Sequence, residues 1–382
     1  LSLHDALPIY LGGFYGDSYD QLDLIQAIEA HDRGYYGKDV IIGVIDGGFM
    51  YDHRALMHAD VIDEWDFIFN DGFTGYDPEQ GDVRGQPVHG TGCWSTIAGY
   101  DPGNLIGAAP FAGFLLAKSE DVRWEKPVEE DDWVAAVEWC ERYGADIVSS
   151  SLSYKDWYSK ADLQGWIAPA SRAATYAYER GMAVCTSAGN EGPHNFTLGT
   201  PTDAYGVLSI GAVDSTGTIT WFSIRGPASD GRIKPNICAV GYHTKAVSPY
   251  SWDHYGLWNG TSLSCPMAAG GIALVIEAHP DWPVYKLYEA VENTATHANH
   301  PDNTYGYGIL QVIEAIDYPS IQGYIKDADG NPLPDAELAF SGADTSGAAE
   351  VDDTGLYYMA NMPEGKYKIE ARAEGFEPAR AT

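Results

Sequence analysis

The stretch DVIIGVID, residues 39–46, carries the strongest fold signal in the chain. Apart from Gly43, its interior residues are valine and isoleucine without polar alternation, a pattern typical of a strand buried on both faces of a parallel sheet. Similar strand patterns occur at residues 113–118, 145–151, 182–188 and 207–213. Helix patterns alternate with them, at residues 21–33, 90–98, 131–143, 168–180, 262–279 and 283–293. The alternation predicts an α/β fold in which helices cover both faces of a parallel sheet.

The composition changes near Pro319, where short β-type runs begin to alternate with turn sequences such as Asp-Gly and Pro-Glu-Gly. This pattern predicts a small all-β module at residues 320–382 after an α/β domain at residues 10–319. The stretch GYIKDADGNPLPDAEL, residues 323–338, resembles the carboxypeptidase-regulatory-like β-sandwich. The resemblance implies a seventh strand beyond residue 382, so we expect a truncated sandwich.

The first nine residues, LSLHDALPI, match the translation of a common short-read sequencing adapter. We therefore interpret residues 1–9 as an artefact and keep them out of the fold prediction. The alternative is a genuine disordered N-terminus. On the adapter interpretation, the lack of a visible signal peptide carries no meaning.

The chain of 382 residues has 55 acidic and 22 basic residues, a formal net charge of -33. Such a field repels nucleic acid and anionic membranes, so no nucleic-acid partner is expected. No apolar run reaches the roughly 18 residues of a membrane span. Five cysteines without a C-x-x-C pair leave at least one thiol unpaired and disfavour a zinc cluster. The sequence does not define an oligomeric state.

Four segments carry the groups that amide hydrolysis needs, namely a nucleophile, a base and oxyanion donors. Asp46 ends the strand in VIDGG, where a carboxylate can orient an imidazole. His89 opens HGTGCWSTIAG, Asn190 follows a strand in SAGNEG, and Ser262 begins a helix in NGTSLSCPMAAGG. Each alone has a common structural explanation, such as a turn residue, a surface histidine or a helix N-cap.

Together the four segments resemble the subtilase family over residues 15–318. The resemblance implies a subtilisin-like sheet and a secreted or cell-surface bacterial serine endopeptidase with protein or peptide substrates. It implies a triad of Asp46, His89 and Ser262, an acyl-enzyme intermediate, and Asn190 in the oxyanion hole. It also implies that the substrate and its primary specificity pocket are bordered by Ser151, Leu152, Ser153, Ala188 and Gly189.

Three positions matter for the comparison with the family pattern. Gly92 stands where most subtilases have a second histidine, so we expect different helix packing there. Ala55 replaces an aspartate that binds calcium in several relatives; structural calcium stays an option elsewhere, with no site assigned and no cofactor required. Pro201 matches a cis proline of the family.

The alternative function is a catalytically silent binding or adhesion protein on the subtilase fold. The complete set of Asp46, His89, Ser262 and Asn190 argues against it. Cys93 lies one helical turn after His89 on the same face. We expect a buried, inert thiol behind the imidazole rather than a nucleophile.

Overall fold

The computed structural model describes residues 13–194, 198–318, 320–342, 345–360, 362 and 365–382. The predicted adapter segment, residues 1–9, lies outside them. The chain divides into two compact units, with the boundary between Ile316 and Asp317. The sequence-based boundary at residues 319–320 is three residues further on.

The first unit is built from alternating strands and helices. Its strands are β1 (Ile41–Asp46), β2 (Asp60–Asp66), β3 (Tyr100–Asp101), β4 (Leu105–Ile106), β5 (Gly113–Lys118), β6 (Ile147–Ser150), β7 (Ala183–Ser187), β8 (Leu208–Val213), β9 (Ile237–Val240), β10 (Thr244–Val247) and β11 (Tyr255–Trp258). Its helices are α1 (Tyr19–Asp23), α2 (Ala27–Asp32), α3 (Val88–Ala98), α4 (Val128–Arg142), α5 (Pro169–Glu179), α6 (Thr261–Ala278), α7 (Val284–Thr294) and α8 (Val312–Ile316).

Seven of these strands form one parallel sheet in the order β2-β5-β1-β6-β7-β8-β9. Its two faces bury separate cores. On β1, Ile42 and Val44 join the core that contains residues of α3 and α6, whereas Ile45 joins the core that contains residues of α4 and α5. The predicted doubly covered parallel sheet is therefore confirmed.

The N-terminal helix prediction was wrong in one respect. The single helix expected at residues 21–33 is divided into α1 and α2. Gln26, between them, has a left-handed backbone conformation with φ of 62°. A non-glycine residue in that region interrupts the helical hydrogen-bond ladder, and apolar periodicity does not reveal such a break. The edge strand β2 and the short strand β9 were also not predicted.

The long segment at residues 67–88, which leads into α3, is irregular but anchored. Lys118 ends β5, and its Nζ lies 2.8 Å from Asp66 Oδ2 and 2.9 Å from Asp82 Oδ2. All three side chains are buried. Between the two aspartates in the chain, the Thr74 carbonyl accepts a hydrogen bond from the Phe49 N–H. We call Lys118, Asp66 and Asp82 the buried ion cluster.

The second unit is all β. The strands are β12 (Ser320–Tyr324), β13 (Glu337–Gly342), β14 (Thr345–Ala349), β15 (Leu356–Ala360), β16 (Tyr367–Arg372) and β17 (Ala379–Ala381). They form a pair, β12 with β15, and a four-stranded antiparallel sheet in the order β14-β13-β16-β17. A small core contains Leu338, Met359, Met362 and Tyr367. The predicted all-β module is confirmed.

Helix α6 is long and apolar enough to cross a membrane by length and composition alone. The sequence had been expected to contain no such stretch. Most of the helix is buried inside the first unit, where it packs on β6, β7, β8 and β9. Its apolar composition is that of the core helix of an α/β domain.

Candidate active site

The candidate site lies at the carboxyl ends of the central strands. Asp46 is the last residue of β1, which has β5 on one side and β6 on the other. Parallel sheets bind ligands at such a point, where successive connections leave in opposite directions. The Asp46 side chain is buried, and its Oδ1 accepts a hydrogen bond of 2.7 Å from the Gly47 N–H.

His89 stands in the first turn of α3 and meets Asp46 directly. Its Nδ1 lies 2.8 Å from Asp46 Oδ1 and 3.0 Å from Oδ2. Because a carboxylate only accepts, Nδ1 is the protonated nitrogen in this contact. The close approach requires Gly90, since a Cβ there would lie 3.0 Å from Asp46 Cβ and collide with the Gly48 carbonyl oxygen.

The same contact sets the acidity of His89. Burial disfavours the charged imidazolium, but the Asp46 carboxylate outweighs that cost and holds the pKa of His89 well above its usual range. The His89 side chain remains 39% exposed. With Nδ1 bound to Asp46, Nε2 is the nitrogen free to accept a proton from a substrate-side group.

Ser262 is the second residue of α6 and is half-buried. Its backbone carbonyl accepts hydrogen bonds from the Cys93 thiol at 3.1 Å and from the Ser151 hydroxyl at 2.9 Å. The Cys93 sulfur also lies 3.9 Å from both ring nitrogens of His89. Cys93 therefore lies between the Ser262 backbone and the imidazole.

Cys93 fits the prediction of a buried thiol behind the imidazole. Burial raises the pKa of the Cys93 thiol, so the sulfur keeps its proton at neutral pH. All five cysteines are described, and all are free and buried. The prediction of at least one unpaired thiol is confirmed.

Asn190 is exposed beyond the end of β7, and Thr261 orients its amide. The Asn190 side-chain oxygen accepts hydrogen bonds from the Thr261 N–H at 2.9 Å and the Thr261 hydroxyl at 3.1 Å. Since the oxygen is held, the Nδ2 amide is the side-chain donor that remains. A Cβ on Gly260 would lie 3.6 Å from both Asn190 Nδ2 and the Ser262 nitrogen. The two potential oxyanion donors thus lie close to the same residue, Gly260.

Thr261 was missed by the sequence reasoning. The signal available for it was its place in the segment NGTS, directly before Ser262. Its hydroxyl also accepts a hydrogen bond of 3.1 Å from the Gly189 N–H. Thr261 is buried and links the helix that carries Ser262 to the segment that carries Asn190.

The segments expected to border the substrate lie beside each other. Ser151, Leu152 and Ser153 follow β6, while Ala188 and Gly189 follow β7, its parallel neighbour. An ion pair between Lys155 and Glu191 joins the two segments just beyond these residues. Because Lys155 compensates it, Glu191 does not add an unpaired negative charge beside Asn190. The sequence did not reveal this ion pair.

The space at Gly92 is filled by a residue distant in sequence. A Cβ on Gly92 would lie 3.4 Å from the Trp258 indole ring. Trp258 ends β11, four residues before Ser262. An indole thus occupies the space into which a longer side chain at position 92 would extend, in line with the expectation of different packing. The Thr200–Pro201 bond is cis, as the resemblance predicted.

Two groups of described residues place three potential metal-ligand atoms within 4.8 Å of one another. The first is Asp46, His89 and Cys93, whose mutual contacts are given above. The second is Glu120, Glu125 and Glu129, which offers the oxygen ligands that calcium prefers. Burial, reinforced by Glu129, raises the pKa of Glu120 to about 9. Structural calcium thus stays an option, with no site assigned.

The sequence model of the subtilase family matches residues 37–308, which hold the central sheet and all four candidate segments. This chain belongs to the subtilase family. The model of the carboxypeptidase regulatory-like domain matches residues 320–382 of this subtilase. Both resemblances drawn from the sequence are therefore confirmed.

Curated relatives are similar at moderate identity. Serine protease AprX of Bacillus subtilis (strain 168) is 27% identical over 312 residues, covering 73% of this chain and 66% of AprX. The halolysin-like extracellular serine protease Nep of Natrialba magadii is 27% identical over 309 residues, covering 80% of this chain and 52% of Nep. The chain thus matches about half to two thirds of the length of these relatives.

Solved structures share the fold. Fervidolysin of Fervidobacterium pennivorans, a keratinolytic enzyme related to subtilisin, has a TM-score of 0.59 at 22% identity. The match covers 92% of this chain and 55% of fervidolysin. At that identity the likeness supports the subtilisin-like fold alone.

Proposed function

We propose that this subtilase is a serine endopeptidase that cleaves peptide bonds in proteins with Asp46, His89 and Ser262. The observation that carries the proposal is the contact of 2.8 Å between His89 Nδ1 and Asp46 Oδ1, beside helix α6, whose second residue is Ser262. A buried carboxylate on Nδ1 leaves Nε2 as a base, which an alcohol nucleophile needs near neutral pH.

The proposed reaction has two halves. Ser262 Oγ attacks the scissile carbonyl carbon while His89 Nε2 takes its proton, and Asp46 stabilises the resulting imidazolium. The Asn190 amide and the Ser262 N–H donate to the oxyanion. The C–N bond then breaks as His89 protonates the leaving amine. Water, activated by His89, hydrolyses the acyl-enzyme and regenerates Ser262.

The proposed substrates are proteins and peptides. An extended substrate strand would pair by its backbone with the segment Ser151 to Ser153, a binding mode that tolerates many sequences. Its primary side chain would enter between that segment and Ala188 with Gly189. The reaction as proposed requires no cofactor, because the four polar groups supply the nucleophile, base and oxyanion donors.

The proposed location is outside the cell or at its surface. The net charge of -33 favours solubility and repels anionic membranes. The relative Nep is named as an extracellular protease. The serine protease names of the relatives support an active enzyme over the silent binding or adhesion protein.

The test compares turnover of casein and of a fluorogenic peptide by the parent and by Ser262→Ala. The substitution removes one half-buried oxygen, so we expect an unchanged melting temperature and loss of turnover to background. A folded parent that cleaves no better than Ser262→Ala would favour the silent binding protein. Equal cleavage by both proteins would reject Ser262 as the nucleophile.

A further inference from the structure

Helix α6 contains a proline at a position that affects the proposed nucleophile. In an α-helix the carbonyl of residue i accepts from the N–H of residue i+4. The residue four positions after Ser262 is Pro266, which lies inside α6 and has no N–H. The Ser262 carbonyl therefore lacks its helical partner. The proline ring also crowds this carbonyl, because it lies against the carbonyl four residues earlier.

Two side chains from other elements take the place of the missing donor. The Cys93 thiol donates from α3 at 3.1 Å, and the Ser151 hydroxyl donates from the segment after β6 at 2.9 Å. Cys93 is fully packed in the interior, and its proton is retained because burial raises the pKa of the thiol. Both donors are therefore competent to bind a carbonyl.

The three elements that meet at this carbonyl are those that carry the proposed chemistry. Helix α3 carries His89 one turn before Cys93, and the Cys93 sulfur touches the imidazole at 3.9 Å. Helix α6 carries Ser262 itself. Ser151 begins the segment proposed to bind the substrate backbone. The contacts thus connect the nucleophile, the base and the substrate segment.

We infer that Ser151 and Cys93 are positioning residues that hold the Ser262 carbonyl freed by Pro266, and so fix Ser262 Oγ relative to His89. The inference rests on the proposed role of Ser262 as nucleophile. A regular helical bond would tie this carbonyl to its own helix only. Replacing it with bonds to α3 and to the Ser151 segment couples the turn that carries Ser262 to the rest of the site.

The central test is a double-mutant cycle between Ser151 and Pro266. Ser151→Ala removes one donor, and Pro266→Ala restores a backbone N–H to the same carbonyl. We expect Ser151→Ala to lower kcat by about 10- to 100-fold, the scale of a small misplacement of reacting groups, with KM changed less than about threefold. In the Pro266→Ala background the same substitution should lower kcat by less than about threefold, because the helix then holds the carbonyl.

Matched variants separate positioning from general stability. Ser151→Thr keeps the hydroxyl and should retain most of the parent kcat. Ser264→Ala removes a hydroxyl that donates at 3.0 Å to the Thr261 carbonyl. Unlike the Ser262 carbonyl, this carbonyl has a residue with an N–H four positions later, Cys265. We expect this control to leave kcat within about threefold of the parent. Cys93→Ser keeps a donor and Cys93→Ala removes it, so kcat should fall more in the second.

The results distinguish the failure of the inference from the failure of the proposed function. An inactive, folded parent would reject the proposed function. An active parent with the same loss on Ser151→Ala in both Pro266 backgrounds would overturn the inference. A rise in KM with unchanged kcat would also overturn the inference, because it would place Ser151 in substrate binding alone. Equal loss in Ser151→Thr and Ser151→Ala would show that the hydroxyl is not the group that matters.

Discussion

Two sites where carboxylates meet a basic side chain lie side by side at the carboxyl edge of the central sheet. Asp46 on β1 and Lys118 on β5 are paired residues in the strand register. Asp46 meets His89, whose side chain is 39% exposed, whereas Lys118 meets Asp66 and Asp82 with every side chain buried. The Asp46–His89 pair leaves a basic nitrogen of His89 accessible, whereas the buried ion cluster leaves no charge facing solvent. A carboxylate next to a basic side chain thus supports the proposed reaction at His89 and stabilises the fold at Lys118.

The largest expected effect is on the accessible pair. Asp46→Asn keeps the shape of the side chain but no longer stabilises imidazolium or fixes the tautomer of His89. We expect kcat to fall by about 10⁴-fold. Steady-state kinetics on a fluorogenic peptide measures the loss, and a thermal melt provides the control. Near-normal turnover by the folded variant would remove Asp46 from the mechanism.

Asn190 extends the comparison to an uncharged, exposed donor. Asn190→Ala removes the Nδ2 amide, and we expect kcat to fall by about 10²- to 10³-fold with a smaller change in KM. Thr261 would also lose the acceptor for its N–H and hydroxyl, so a thermal melt of the variant checks that the fold is kept. Comparable losses in kcat and KM, measured in the same assay, would indicate that Asn190 supports structure instead.

A substitution in the buried ion cluster should lower the stability of the fold and leave turnover unchanged. Lys118→Met leaves Asp66 and Asp82 buried without their cation, and burial already raises the pKa of Asp66. We expect the free energy of unfolding to fall by about 3–5 kcal/mol, measured by urea denaturation, while the folded fraction keeps its turnover.

A triple variant, Lys118→Met with Asp66→Asn and Asp82→Asn, is the matched control for that experiment. It removes the uncompensated charges, so much of the lost stability should return. Unchanged stability in Lys118→Met would show that the cluster does not anchor the segment at residues 67–88.

The smallest expected effect is on the pH profile. The base must be neutral, and Asp46 holds the pKa of His89 above its usual range, so activity should rise with pH through an apparent pKa above about 6.5. The same raised pKa contributes stability that is present at low pH and lost as pH rises through the folded value. A kcat/KM profile with its acid limb below that of free histidine would contradict this electrostatic account.

Much of the fold and the proposed site could be predicted from the sequence because the site residues lie at the ends of strands and the starts of helices, which local patterns mark. Asp46 ends an apolar strand, Asn190 follows another, and His89 and Ser262 stand in the first turns of helices, so periodicity and four short segments were enough to order them. Boundaries such as Gly113–Lys118 were predicted to the residue.

The remaining features depend on contacts between residues far apart in the chain. Trp258 against Gly92, Lys155 with Glu191, and the buried ion cluster are tertiary contacts that no local periodicity encodes. The left-handed Gln26 is a single-residue break inside an otherwise helical pattern. The charged edge strand β2 was missed because its acidic residues do not show the apolar run of a central strand.

The most direct measurement is the site of reaction with a fluorophosphonate, located by mass spectrometry on the folded protein. Such reagents form a stable bond with a serine activated by a neighbouring base. The account predicts one adduct, on Ser262, absent in Ser262→Ala and formed much more slowly in Asp46→Asn. An adduct on a different residue, or no adduct on the folded parent, would contradict it.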